Sequence, residues 1–153
     1  MKYIEKLSHY QELMNVAIWA LEAFPNHEWP EDYYKSFIER YKTDLKERSE
    51  IKSGKYASVA SLNHDISNAL IYFNEASGEA VEQFWKRIQD ENLPFKRENK
   101  LKKVLKRKRI INETEYDFVI DVLGPYIQQG IISEEEGILL KQYIGDFEMK
   151  GKA

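Results

Sequence analysis

His64 stands between Asn63 and Asp65, with Asn68 one helical turn further on. An imidazole beside a carboxylate and two amides holds the parts of a general acid/base, or of a metal ligand with an orienting partner. A helix-borne metal wants a second strong ligand four residues along, and Asn68 is a weak one. Polar groups on a weakly charged helix more often form a hydrogen-bonded network that fixes register. The group therefore reads as a network or a partner surface before it reads as a catalyst.

Other chemistries have less to stand on. The chain has no cysteine, so disulfides, thiolate metal sites and cysteine nucleophiles are all excluded. Only three histidines are present, at positions 9, 27 and 64. Asp117 and Asp121 are spaced i, i+4, but no second helix carries the Glu-x-x-His of a di-iron bundle. The run PYIQQGIISEEE has the rhythm of a calcium loop around Gly130, yet it puts Pro125 and Ile127 where oxygen ligands are required. Gly54-Lys55 lacks the flanking residues of a phosphate-binding loop, and no G-x-S-x-G or H-E-x-x-H occurs. No catalytic residue, metal or cofactor is assigned, and the expectation is a non-enzyme.

Charge supplies a stronger signal. The 153 residues carry a formal net charge of −3, but residues 96–109 hold nine basic side chains and one acidic one, while residues 110–149 hold one basic and nine acidic. If 96–109 is helical, Lys96, Lys100, Lys103 and Arg107 fall within about 60° of one another, with Leu101, Val104 and Leu105 turned away. Such a basic amphipathic helix can bind nucleic-acid phosphates, anionic lipid or an acidic partner. Against nucleic acid, the chain as a whole is slightly acidic and the stripe lacks the interleaved aromatics of single-strand binders. Its apolar side is needed for a core, so no membrane role is expected. A solvated lysine face, partly neutralised by the acidic remainder, is the commoner reading.

Aromatic residues are the third signal: 10 Tyr, 7 Phe and 3 Trp. Most fall on helical stripes and read as core. Trp29 in a loop and Tyr33 beside Tyr34 are harder to bury, and exposed aromatics anchor protein interfaces. Trp29 and Tyr33, with His64, Asn68 and Tyr72, form the expected partner-binding set.

The elements that must position these residues are helices. Tyr3, Leu7, Tyr10, Met14, Ala17, Leu21 and Phe24 step by 4, 3, 4, 3, 4, 3, one apolar face of a helix that Pro25 stops. Pro30 opens a second helix with Glu31 and Asp32 at its positive end; its charged tail TDLKERSEIK reads as protruding into water before Ser53-Gly54. Between Tyr56 and Asn74 only Asp65 is charged, which predicts a third helix that is central and covered on both sides. A fourth follows Ser77-Gly78, and a fifth, basic one opens at Pro94. A sixth opens on the capping box Asn112/Glu115, with Tyr116, Val119, Ile120, Leu123 and Ile127 inward, Pro125 within it and Gly130 as its left-handed cap. A seventh opens on Ser133/Glu136.

No repeat, linker or strand-period segment appears. The expected architecture is an all-α, single-domain bundle of six or seven helices over residues 1–149, with 150–153 as a frayed tail. No apolar run reaches the length of a membrane span, and the amino terminus lacks a signal peptide's apolar stretch, so a cytoplasmic location is expected.

The stretch LNHDISNALIYFNEASGEAVEQFWKRIQDENLPFKREN, continued by EYDFVIDVL and IGDFE, resembles small all-helical bacterial proteins of unassigned function over roughly residues 62–148. The resemblance implies a helical bacterial protein and carries over no functional residue. Immunity proteins that bind secreted toxins are of this general type, which makes an immunity- or antitoxin-like binder the leading expectation. A nucleic-acid-binding accessory protein using residues 96–109 is the alternative.

Overall fold

The structure is a computed structural model describing residues 2–151. Among the described residues seven helices run in chain order: α1 Tyr3–Ala23, α2 Glu31–Ser49, α3 Val59–Glu75, α4 Glu79–Asp90, α5 Lys102–Arg107, α6 Glu113–Gln128 and α7 Glu134–Gly151. No strand occurs among the described residues, so the all-α expectation holds. The chain divides into two compact units. The first comprises Met1–Phe73 with Glu79–Lys96; the second comprises Asn74–Gly78 with Arg97–Ala153.

In the first unit α1 contributes the most buried residues. Leu7, Tyr10, Leu13, Met14, Val16, Ala17, Ala20 and Leu21 are enclosed, packing against α2 and α4. The last carbonyls of a helix need donors from elsewhere. The Tyr34 hydroxyl donates to Leu21 O at 2.6 Å, and the Trp85 indole donates to Phe73 O at 2.7 Å near the end of α3. The Tyr41 hydroxyl donates to Ala69 O at 2.7 Å. These aromatics fill core volume and satisfy backbone polar groups at once.

Two expectations change here. The tail of α2 does not protrude: the helix stops at Ser49, and Arg48 is only 6% exposed. Nor is α3 covered on both faces. It buries Leu62, Ile66, Phe73 and Asn74, whereas Asn63, His64, Ser67, Asn68 and Ile71 are exposed. Its missing charge therefore belongs to an open surface.

In the second unit Leu101, Val104, Ile110, Val119, Val122, Tyr126, Ile132, Leu140, Tyr143 and Ile144 form the core. The hairpin of α6 and α7 follows its punctuation. Gly130 takes φ +72°, donating to Ile127 O, while Ile131 N–H reaches back to Tyr126 O, a Schellman ending. Ser133 and Glu136 exchange backbone and side-chain bonds as a complete capping box at α7. At α6 the box is displaced: Asn112 accepts from Glu115 N–H, but the Glu115 carboxylate accepts from Ile111 N–H. Lys150 and Gly151 continue α7, and Lys152 and Ala153 of the expected tail lie outside the described residues.

The predicted fifth helix is the largest correction, because residues 94–101 are not helical. Asn92 at φ +56° closes α4, its N–H bonding Gln89 O while Leu93 N–H bonds Ile88 O. Beyond it, side chains take the backbone groups a helix would use. Glu98 N–H donates to Asn74 Oδ1 at 2.9 Å, the Tyr126 hydroxyl donates to Glu98 O at 3.3 Å, and Lys100 N–H donates to the same hydroxyl. Four like charges at i, i+4 and i, i+3 would also repel along a helix. Only the short α5 remains.

Candidate interaction surface

Trp29 is held by its loop. Asn26 Oδ1 accepts from Glu28 N–H at 2.9 Å and Asn26 O accepts from Trp29 N–H, a local turn between Pro25 and Pro30. This presents the half-buried indole to four rings with centroid distances of 5.3 Å to Tyr33, 5.7 Å to Tyr34, 5.3 Å to Phe37 and 5.7 Å to Tyr72. Phe37 and Tyr72 close the group at 5.1 Å, and the rings meet tilted or edge-on, the arrangement their quadrupoles favour. Tyr33 remains 63% exposed at its outer side. Burial pushes the Tyr72 hydroxyl above the usual phenol range, with Tyr34 adding to the shift.

Along α3, His64 and Asn68 lie two turns and one turn before Tyr72, on the same flank by helical spacing. Both are exposed, as is Ile71 at 52%. The structure thus gathers Trp29, Tyr33 and Tyr72 into one cluster, and the helix continues it with His64 and Asn68. Phe37 and Ile71 also belong to this surface. Phe37 repeats at helical spacing with Tyr34, Ile38 and Tyr41, and Ile71 sits within the apolar run ALIYF, so neither stands out in the sequence.

Asp65, the nearest carboxylate in sequence to His64, is engaged elsewhere. Its Oδ2 accepts from Arg48 Nε at 2.6 Å, while Arg48 Nη1 donates to Tyr56 O at 2.7 Å and Nη2 to Ser61 Oγ at 2.8 Å. Burial works against the Arg48 charge, but the bonds and charges of Asp65 and Tyr3 outweigh it and hold its pKa above the usual value. The cluster fastens the 50–58 connection between α2 and α3. The His64 side chain makes no hydrogen bond or ion pair with another described residue, and no group of three or more metal-ligating side chains occurs among the described residues.

The basic stripe does not assemble. Lys96 and Lys100 lie in the non-helical segment, and only Lys103 and Arg107 are on α5. Lys100 is paired with Glu98 at 3.0 Å and approaches Glu75 at 3.9 Å; the Glu98 bond leads the causes that raise its pKa. Arg107 is paired with Glu115 at 2.6 Å. Arg97 is buried, its guanidinium 4.9 Å from the Tyr126 ring centroid.

Fold and surface together define the class: an all-helical protein with an aromatic cluster beside an exposed, uncharged α3 face. No protein family, curated protein or solved structure matches the chain. No helix among the described residues is long and apolar enough to cross a membrane.

Proposed function

We propose that this chain is a non-enzymatic interaction protein of bacterial type, an immunity- or antitoxin-like binder acting in the cytoplasm. Its partner protein engages Trp29, Tyr33 and Tyr72, with His64 and Asn68 extending the contact. The observation that carries the reading is the convergence of Trp29 and Tyr33 with the sequence-distant Tyr72, beside an exposed α3 face without charge. Interface centres are depleted of charge and enriched in Tyr and Trp, because a rigid ring buries much area at small entropic cost.

The test is affinity purification of the tagged chain from its native host, with the bound protein identified and its stoichiometry measured. Tyr33→Ala, His64→Ala and Asn68→Ala are combined in one variant, all at exposed positions, so the fold is preserved. The expected result is one stoichiometric partner that the triple variant loses. A chain that purifies alone, or a partner retained equally by the variant, would refute the reading.

A further inference from the structure

Of the anticipated stripe only Lys103 belongs to the group of cations that stay exposed without a salt bridge on and just after α5. Lys102, Lys103 and Lys106 project from the helix, and Lys108 and Arg109 follow in the turn after it; all five are exposed. No carboxylate among the described residues forms a salt bridge with any of them, in contrast to Lys100 and Arg107. Their backbone is firmly seated, because Leu101, Val104 and Ile110 are buried in the core of the second unit. At 1.5 Å per residue the six residues of α5 span only about 9 Å, and Lys102, Lys106 and Lys103 occupy an arc of about 100° on it. Five unneutralised charges are therefore held on a rigid support about two turns long.

A second feature marks the same place. Lys108 adopts φ +66°, a left-handed conformation that glycine takes at far lower cost, and its N–H bonds Val104 O to end α5. A cation is kept at a position where backbone energetics favour glycine. Residues held in such conformations cluster where structure serves a function beyond folding.

We infer that Lys102, Lys103, Lys106, Lys108 and Arg109 form a binding site for the phosphodiester backbone of double-stranded DNA. Duplex DNA presents about one negative charge per 1.7 Å of axis, a density that matches five cations on so short a support. The site carries cations alone. It has no aromatic ring on which an unpaired base could stack and no amide or hydroxyl among the five to read a 2′-hydroxyl, so single strands and RNA are disfavoured. Binding is sequence-independent, since none of these residues enters an element long enough to read a groove. The inference uses residues distinct from the aromatic surface and stands or falls separately from it.

The experiment is fluorescence anisotropy of a labelled duplex of about 20 base pairs with the full chain, between about 50 and about 150 mM NaCl. With five phosphates neutralised, log affinity should fall against log salt with a slope of about −4.5, a loss of about 140-fold across that range. The variant Lys102→Gln/Lys103→Gln/Lys106→Gln should reduce the slope to about −1.8 and bind more weakly at the lowest salt. The control Lys2→Gln/Lys86→Gln/Lys141→Gln makes the same change in net charge at other exposed lysines and should bind as wild type. Circular dichroism of both variants confirms that each is folded. Absence of binding at low salt would overturn the inference. So would equal loss in the two triple variants, or preference for RNA duplex or phosphatidylserine vesicles over DNA.

Discussion

Replacing Arg48 with methionine keeps most of the aliphatic stem and removes a buried guanidinium. Three partners lose their donors together: the Asp65 carboxylate at 2.6 Å, Tyr56 O at 2.7 Å and Ser61 Oγ at 2.8 Å. Removing one member of a fully buried ion pair costs about 3–5 kcal/mol, because the other charge is stranded. Here the Asp65 side chain is 31% exposed against 6% for Arg48, so water recovers part of its solvation. The expected loss is accordingly about 2–3 kcal/mol, below the range for a fully buried pair. Urea unfolding followed by far-ultraviolet circular dichroism measures it as a lowered midpoint at unchanged slope. Adding Asp65→Leu removes the stranded charge, so the double variant should be more stable than Arg48→Met alone. A single-variant loss below about 1 kcal/mol, or a double variant as unstable as the summed singles, would refute this account of the cluster.

Three further outcomes follow from particular contacts. Lys108→Gly relieves the left-handed backbone and should stabilise the protein by about 1 kcal/mol in thermal or urea unfolding, while weakening DNA binding by the loss of one cation. Tyr126→Phe frees Glu98 O and Lys100 N–H from their shared hydroxyl; a cost of about 1–2 kcal/mol and faster amide exchange across residues 97–101 are expected. The Asp44 carboxyl is held above the usual carboxylate range, chiefly by partial desolvation, with Arg40 opposing and Glu47 and Asp65 adding. A raised folded-state pKa contributes stability that is complete below about 3.9 and is lost as pH rises through the folded value. Asp44→Asn should therefore unfold at higher urea than wild type at neutral pH, an advantage that vanishes as pH falls below about 3.9.

The helices were legible where local rules act alone. The 4–3 stepping of α1, Gly130 and the Ser133/Glu136 box each depend on residues within one or two turns, and each is present as read. The fifth helix failed because Asn74 and Tyr126, 24 and 28 residues from Glu98, take over its backbone bonding. Local propensity contains nothing of such a contact. In α6 the buried positions are Val119, Val122 and Tyr126, while Ile120 is 47% exposed. Glu113, Asp117 and Asp121 form an exposed acidic row, and Ile120 lies beside it on the helical wheel, so an inward stripe that includes Ile120 runs too close to that row. Arg48 was hidden in a run of charge whose other members are mostly exposed, and only the tertiary pairing with Asp65 singles it out. The proposed interaction surface was legible in part. Trp29 and Tyr33 stand out in sequence as aromatics hard to bury, but their meeting with Tyr72 needs the loop at 24–30 to turn back on α2. The uncharged run on α3 was seen, and assigned to the interior, because low charge marks a covered face and an interface face alike.

The central claim is that the aromatic surface is a protein-binding site, and site-specific photocrosslinking tests it most directly. A photoreactive benzophenone side chain placed at Tyr33 is irradiated in the native host, with the same side chain at exposed Lys141 as control. The claim requires one adduct of defined mass at position 33 that is absent at position 141. No adduct at position 33, or the same adducts from both positions, would contradict it.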